Sequence, residues 1–368
     1  MRIALLGTRG VPAQYGGFET AAEEIGRRLA ERGHEVIVYC RNPGQVQTEY
    51  LGMHLVNLPA VRARAAETLS HTMASAGHAL ARSHPDVVFM FNAANAPFLP
   101  PLRLGRIPVA VHVDGLEWQR GKWGRRASAY YRWAEARSAR WADAVIADAH
   151  GIVDHMQAVH GVRSWYIPYG APILSPAPGR LADLGLEARN YHLVVARFEP
   201  ENHVLEIVTG YVSSGCQMPL VVVGDAPYAA DYRARVRQAA GSDPRVRLLG
   251  SVWDNELLDT LYAHAITYLH GHSVGGTNPS LLRAMGAGAP VTAYDVVFNR
   301  EVAGSAGVWF SGPDGVAHAC EAAERDPVAT AERGRAGQAD VAARYRWEDV
   351  ADRYEALAEE LLSRRRGR

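Results

Sequence analysis

The chain has 368 residues, of which 48% are hydrophobic and 21% are charged. This length fits roughly two domains, and the composition excludes a largely disordered chain. The 39 basic and 39 acidic residues give a formal net charge of zero, which argues against a nucleic-acid-binding protein because such proteins carry a basic excess.

The three cysteines, Cys40, Cys216 and Cys320, are widely spaced, so the sequence predicts neither a disulfide framework nor a zinc-binding CxxC pair. No stretch reaches the roughly 18 to 20 consecutive apolar residues of a membrane-spanning helix. The opening residues lack the apolar segment of a signal peptide. We therefore expect a cytoplasmic protein.

The first part of the sequence alternates between strand and helix patterns. A buried strand over 2–6, an amphipathic helix over 18–31 and a strand over 36–39 form a βαβ unit. Further strands are predicted over 86–91, 109–113 and 144–147. These elements predict a doubly wound α/β domain over residues 1–170.

A proline-rich segment, residues 171–187, predicts a linker. Beyond it the alternation resumes and predicts a second α/β domain over 188–345, followed by a C-terminal helix within 346–368. The second domain's strands are predicted over 192–195, 220–223, 246–249, 266–269 and 291–293. We expect ligands to bind in a cleft between the two domains.

A glycine-containing loop, Gly7-Thr-Arg-Gly-Val-Pro-Ala-Gln-Tyr-Gly-Gly-Phe-Glu-Thr20, separates the first predicted strand from the first helix. Gly16 and Gly17 let backbone N–H groups approach an anion, and the helix that follows adds its positive dipole. The loop fits neither the GxGxxG pattern nor a Walker loop. It is predicted to bind a phosphate; the alternative is a turn that only packs on the sheet.

Two further loops follow predicted strands, at the sheet edge where α/β proteins bind ligands. After the strand over 109–113, the carboxylates of Asp114 and Glu117 are candidates to orient a ligand hydroxyl or act as a base. After the strand over 192–195, Arg197 offers a planar fork of donors for a diphosphate. In the same loop Glu201 can accept a hydrogen bond from a ligand hydroxyl, and Asn202 can donate a hydrogen bond. The alternatives are a loop cap at Asp114 and a surface ion pair at Arg197.

The segment 273–283 repeats the strand–loop–helix order. Gly276, Thr277 and Asn278 would present N–H groups and small polar side chains to a phosphate and the group it carries. The overlapping pattern Gly271-His-Ser-Val-Gly275 also fits GxSxG, the nucleophile motif of α/β-hydrolases, although Gly276–Asn278 delay the helix that should follow directly. With no Asp-x-Asp pair and no HExxH, neither a metal nor another cofactor is expected.

Together these motifs resemble bacterial retaining glycosyltransferases of family 4, which have the GT-B fold, and above all the branch with β-1,4-rhamnosyltransferases of polysaccharide assembly. The matching stretches occur in the family's order and include the Gly16–Gly17 loop, Val113–Trp118, Arg197–Asn202, Gly276–Ser280 and Phe298–Val302. The resemblance implies two Rossmann-like domains facing a cleft. The first would bind the acceptor and the second the nucleotide sugar, and the last helix would return to the first domain.

The resemblance also implies the reaction. We expect metal-independent transfer of a sugar, L-rhamnose from dTDP-rhamnose, to a glycan, lipid-linked or natural-product acceptor with retention at the anomeric carbon. UDP-linked donors remain open. Asp114 occupies a position that many relatives fill with His.

The sequence departs from the family at two positions. Family-4 enzymes usually carry two Glu here, and Gly275 and Arg283 take their places. The second Glu accepts hydrogen bonds from the ribose, which arginine cannot do because it has only donors. Arg283 stays in the predicted donor-binding set, but the departure also fits a catalytically degenerate nucleotide-sugar-binding or scaffold protein. A GT-B nucleotide-sugar epimerase and a serine hydrolase acting through Ser273 are also compatible with the sequence.

Charge is divided unevenly along the chain. Residues 1–170 contain 19 basic and 14 acidic residues, and the basic excess clusters with aromatic residues over 120–140. Such a helix can rest on an anionic membrane surface, so peripheral contact with the inner face of the membrane is one hypothesis. A solvated helix face is the alternative.

Overall fold

A computed structural model describes residues 1–13, 16–41, 44, 47–61, 66–113, 115–121, 123–226 and 228–366. The chain forms two compact units. The first contains Met1–Gln119, Trp123–Gly170 and Trp347–Arg368, and the second contains Arg120–Lys122 and Ala171–Arg346. Each unit is a parallel sheet covered by helices, as the alternating pattern predicted.

The first unit has an eight-stranded sheet of order β3-β4-β2-β1-β5-β6-β7-β8, in which only the β3–β4 pair is antiparallel. Its strands are β1 (Arg2–Leu6), β2 (Glu35–Cys40), β3 (Glu49–Tyr50), β4 (Met53–Asn57), β5 (Val87–Phe91), β6 (Val109–His112), β7 (Ala144–Ala147) and β8 (Trp165–Tyr166). Its helices are α1 (Gly17–Glu31), α2 (Glu67–His78), α3 (Leu99–Leu104), α4 (Arg125–Trp141) and α5 (His150–His160). The central strand β5 is apolar throughout and fully buried, because helices cover both faces of the sheet.

The second unit has a six-stranded parallel sheet of order β11-β10-β9-β12-β13-β14. Its strands are β9 (His192–Val195), β10 (Leu220–Val223), β11 (Val246–Gly250), β12 (Thr267–His270), β13 (Val291–Tyr294) and β14 (Val308–Phe310). Its helices are α6 (Val204–Ser213), α7 (Ala230–Ala240), α8 (Asn255–His264), α9 (Pro279–Gly286), α10 (Val297–Ala303), α11 (Gly312–Arg325) and α12 (Pro327–Arg344). Because β9 and β12 are neighbours, the loops that follow them emerge side by side at the carboxyl edge of this sheet.

The last helix, α13 (Trp347–Arg366), packs within the first unit, as expected. The Tyr354 ring contacts the Phe89 ring edge-on at 4.8 Å between centroids, and its hydroxyl lies 2.8 Å from His112 Nδ1. Arg32 pairs with Glu355 at 2.6 Å. Buried aromatic packing with a peripheral ion pair therefore attaches the end of the chain to the first sheet.

Several elements escaped prediction. The two-residue strands β3 and β8 are too short to show an alternating pattern. No bounds were predicted for the helices α2, α5, α11 and α12, although they are regular. The segment predicted as a linker contains a 3₁₀ helix, Pro178–Leu184, in which Leu181 is buried. Among the described residues, no helix is long and apolar enough to cross a membrane.

Candidate functional site

The loop after β9 carries Arg197, Glu201 and Asn202, all predicted from the sequence to bind the donor. It closes into a 3₁₀ turn over Pro200–Asn202. The Asn202 side-chain amide donates to the Arg197 carbonyl at 2.9 Å, so Asn202 shapes the loop. The Arg197 guanidinium is about one-third exposed, and its Nη2 lies 3.6 Å from Glu199 Oε2. The exposed third of the guanidinium can reach an anionic ligand.

Glu201 is the most unusual side chain of this loop. It is only 7% exposed, and neither carboxylate oxygen has a hydrogen-bond partner among the described residues. Burying a carboxylate without hydrogen bonds costs several kcal/mol. A ligand that donates hydroxyl groups to Glu201 would offset that cost, which fits the sugar-binding role predicted for it.

The loop after β12 lies against the loop after β9. The Ser273 N–H donates to the Glu201 carbonyl at 2.9 Å. At Gly271 the approach is so close that a Cβ atom would lie 2.1 Å from the Asn202 carbonyl oxygen, which only glycine permits. The structure therefore joins the two loops that the sequence assigned separately to the donor.

The remaining predicted residues of this loop have different surroundings. Thr277 is buried, at 3% exposure. Gly276 lies beside Gly275, which has a φ of 144° and open space where a side chain would be. Asn278 caps α9, its Oδ1 accepting from the Ser280 N–H at 2.9 Å, so its oxygen serves the helix.

Two stacked histidines lie beside the arginines of this edge. His270 is fully buried and its ring stacks on that of His272 at 4.5 Å. Burial lowers the pKa of His272 well below its usual value, and the nearby positive charges of Arg197 and Arg120 lower it further. The ring is therefore neutral near pH 7, and the positive charge that could favour an anion such as a diphosphate is that of the two arginines.

Arg283 is held by an acidic partner. On α9 its Nε and Nη2 donate to Asp259 Oδ1 and Oδ2 of α8, at 2.5 and 2.9 Å. This two-point pair neutralises the cation at the position where the resemblance predicts a glutamate.

In the first unit, Gly16 caps α1 with a φ of 111° and Gly17 begins the helix. The protein's own carboxylates take up nearby donors: the Arg9 N–H donates to Glu19 at 2.9 Å and the Ala13 N–H to Glu23 at 2.6 Å. An anion at this loop would therefore share the positive end of α1 with Glu19.

Asp114 lies outside the described residues. Glu117 is 8% exposed, and its Oε2 accepts from Trp123 Nε1 at 3.1 Å. The neighbouring Trp118 donates to Glu135 Oε2 at 3.2 Å and lies under the Arg132 guanidinium, 4.7 Å from the ring centroid. Glu117 and Glu135 therefore each accept a hydrogen bond from a tryptophan side chain. Glu117 holds Trp123 in place and stays a catalytic candidate.

The basic helix α4 uses much of its aromatic surface internally. The Arg137 guanidinium lies over the rings of Trp133 and Trp141, at 5.9 and 5.4 Å, and the Tyr130 hydroxyl donates to the Ala94 carbonyl. Trp133 is still 40% exposed. These contacts fit a solvated face, and membrane contact remains a prediction.

Within the described part of the chain, two side-chain clusters bring metal-binding atoms within 4.8 Å of one another: Glu135, His155 and His160 in the first unit, and His192, Cys216 and Glu324 in the second. Hydrogen bonds explain much of their approach. Both His155 Nε2 and His160 Nε2 lie 2.8 Å from Glu135 Oε1, and His192 Nε2 lies 3.1 Å from Glu324 Oε1.

Sequence reasoning missed several polar residues near the site. Glu199 lies within the stretch Arg197–Asn202 but was not predicted to contact a ligand, and the Tyr228 hydroxyl donates to its Oε1 at 2.5 Å. Asp259 and His203 belong to helices or turns distant in sequence from their partners. Of these residues, only Glu199 could have been identified from the sequence, because it lies two residues after Arg197 in a loop that follows a strand.

Comparisons with known proteins match this architecture. Residues 16–170 match the sequence profile of the glycosyl transferase 4-like domain, and residues 190–326 match that of the glycosyl transferases group 1. No curated protein matches the chain.

Three solved structures share the fold over nearly the full length of both chains. Sucrose-phosphate synthase from Thermosynechococcus elongatus has a TM-score of 0.84 at 20% identity, covering 98% of this chain and 99% of that one. HepE from Anabaena with UDP-glucose has a TM-score of 0.78 at 18% identity, covering 98% and 100%. An α,α-trehalose-phosphate synthase (UDP-forming) from Burkholderia xenovorans with glucose-6-phosphate has a TM-score of 0.75 at 12% identity, covering 97% and 100%.

Proposed function

Because the chain is a glycosyltransferase with a 4-like domain followed by a group 1 domain, we propose that it transfers a sugar from a nucleoside diphosphate sugar to an acceptor hydroxyl with retention. The observation that carries the proposal is the paired loops after β9 and β12. They combine the partly exposed Arg197 fork, the buried carboxylate of Glu201 and a glycine-rich loop, close to the positive charges of Arg197 and Arg120.

Each group has a defined task in this reaction. Arg197 neutralises the departing diphosphate, and backbone N–H groups at Gly276 and Thr277 add donors without a metal ion. Glu201 accepts hydrogen bonds from the sugar hydroxyls and gains the partners that burial otherwise denies it. The phosphate oxygen that leaves the sugar takes the acceptor proton, so Asp114 and Glu117 orient the acceptor.

For the donor we propose dTDP-L-rhamnose, on the resemblance to the rhamnosyltransferase branch. UDP-glucose is the competing donor, because HepE was solved with it and the trehalose-phosphate synthase is UDP-forming. Both donors contain a pyrimidine nucleoside diphosphate. The acceptor classes are glycans, lipid-linked saccharides and natural products, and the basic helix α4 would bring a lipid-linked acceptor at a membrane surface within reach.

One observation favours a second candidate, a nucleotide-sugar-binding protein without turnover. Arg283 stands where the family has the ribose-binding glutamate, and its donors are engaged by Asp259. In an active enzyme of this fold another group must therefore accept the ribose hydrogen bonds.

Product analysis separates the candidates. We would incubate the protein with dTDP-rhamnose or UDP-glucose and glycan or lipid-linked acceptors in EDTA, and determine the anomeric configuration of the product by NMR. The proposal predicts a glycoside with the donor's configuration, and loss of it in Arg197→Ala but not in Arg180→Ala, which removes an exposed ion pair with Asp254. An epimerised donor sugar, or no consumption of any donor, would contradict it.

A further inference from the structure

The serine of the GxSxG pattern has no task in the proposed transfer, yet it begins a chain of hydrogen bonds. Ser273 Oγ lies 3.0 Å from His203 Nε2, and His203 Nδ1 lies 2.7 Å from Glu206 Oε2. These distances and this order of hydroxyl, imidazole and carboxylate are those of a nucleophile, its base and the group that orients the base.

The carboxylate determines which way the imidazole acts. Ionised Glu206 only accepts, so a neutral His203 places its hydrogen on Nδ1 and leaves the lone pair of Nε2 facing the Ser273 hydroxyl. The His203 ring also stacks on Tyr294 at 3.9 Å with an interplanar angle of 17°. Stacking and the carboxylate together hold the ring in the orientation that a general base requires.

The surroundings of Ser273 supply the other parts. The serine is partly exposed in the loop directly after β12. Among the described residues, the N–H groups of Gly275 and Gly276 donate to no backbone carbonyl, and they follow the serine as oxyanion-stabilising donors do. The Ser273 hydroxyl has a second acceptor, the Glu201 carbonyl at 3.1 Å. Without a substrate, its one hydrogen can therefore be donated either to His203 Nε2 or to this carbonyl.

The arrangement is not the nucleophile elbow of an α/β-hydrolase. Eight residues, 271–278, separate β12 from α9, whereas the elbow turns straight from strand into helix. Serine–histidine–carboxylate triads occur on unrelated folds and are recognised by geometry. The hydrogen-bond chain therefore stands on its own distances, and the sequence pattern only identifies its serine.

We propose that Ser273, His203 and Glu206 form a nucleophilic triad that cleaves small carboxylic esters, an activity beyond sugar transfer. Ser273 Oγ bonds to the ester carbonyl carbon while His203 takes the hydroxyl proton. The C–O bond to the alcohol breaks, and the alcohol leaves with that proton. Water then attacks the acyl-serine, giving its proton to His203, and releases the carboxylic acid and the free serine.

Fluorophosphonate labelling of the intact protein, with the modified residue located by mass spectrometry, tests the proposal without any nucleotide or sugar. We expect stoichiometric modification of Ser273, abolished in Ser273→Ala. His203→Gln should slow labelling by about 10²-fold, the usual contribution of a general base, and Glu206→Gln should slow it by about tenfold. p-Nitrophenyl acetate should give a burst of one p-nitrophenol per chain in the unmodified protein.

Two controls keep the test decisive. Ser213→Ala removes a serine of α6 that bonds only its own helix at Gly210 and should leave labelling unchanged. Ser273→Cys replaces the hydroxyl by a thiol that iodoacetamide can reach over a low background, because Cys40, Cys216 and Cys320 are all buried. Rapid alkylation of Ser273→Cys without fluorophosphonate labelling of Ser273 would overturn the proposal, as would labelling at an unchanged rate in His203→Gln.

Discussion

The ion pair between Arg283 and Asp259 allows a quantitative prediction about the position where the resemblance predicts a glutamate. The two N–O distances are 2.5 and 2.9 Å, and the side chains are 30% and 14% exposed. Exposed pairs contribute about 0.2–1 kcal/mol, and breaking a buried pair costs about 3–5 kcal/mol. This half-buried, two-point pair should have a coupling free energy of about 1–2 kcal/mol.

The reverse charge gives a stronger perturbation. In Arg283→Glu a second carboxylate stands beside Asp259, and two like charges at 4 Å repel by about 4 kcal/mol at an effective dielectric constant of 20. Solvent at the partly exposed site reduces this, so we expect a loss of about 1–3 kcal/mol in the free energy of unfolding. Asp259→Asn in the same chain removes the repulsion and should restore most of that loss.

Hydrogen exchange of the α8 and α9 amides in urea is the appropriate assay, because it reports the second unit separately from the first. The double-mutant cycle uses Arg283→Ala, Asp259→Ala and the double variant. A coupling free energy below about 0.3 kcal/mol, or an Arg283→Glu variant as stable as the parent, would refute this account of the pair.

Of three further predictions, two concern buried polar groups and the third concerns the contact between the loops after β9 and β12. Glu201→Gln removes a buried charge and should stabilise the second unit by about 1–3 kcal/mol in urea while lowering kcat/KM for transfer at least about tenfold; a less stable variant would contradict this. Burial lowers the pKa of His112 and of His270 to about 3. Below pH 6.5 the unfolded chain therefore binds more protons than the folded chain. The free energy of unfolding should fall as the pH drops from about 6.5 toward 3, by up to about 1.4 kcal/mol per pH unit for each histidine. A urea midpoint that does not change over this pH range would exclude the effect. Gly271→Ala places a Cβ 2.1 Å from the Asn202 carbonyl, so the two loops must separate and nucleotide affinity in calorimetry should fall; Gly179→Ala, where a Cβ meets no atom within 4 Å, should leave it unchanged.

The fold could be predicted from the sequence because its signals are local and strong. An apolar run such as Val87–Phe91 is typical of a strand buried on both faces, and the structure contains it within one residue of the predicted bounds. The rule that parallel strands present their carboxyl ends at one edge also placed Arg197 and Gly276 in loops at the same edge.

The details of the site could not be predicted because they depend on contacts between distant residues. Asp259 neutralises Arg283 across two helices, and His203 meets Ser273 across 70 positions of the sequence. A pattern of residue types does not report such distances. The sequence therefore identified Arg283 as an anomaly but not the carboxylate that accompanies it.

Calorimetric titration with dTDP, UDP, GDP and their sugar conjugates tests most directly whether the loops after β9 and β12 bind a nucleotide sugar. The account predicts that dTDP-rhamnose or UDP-glucose binds selectively, that Arg197→Ala weakens binding by at least about tenfold through loss of a charge-assisted contact, and that Arg180→Ala binds as the parent does. Absence of binding to every nucleotide, or equal affinity in Arg197→Ala, would contradict it.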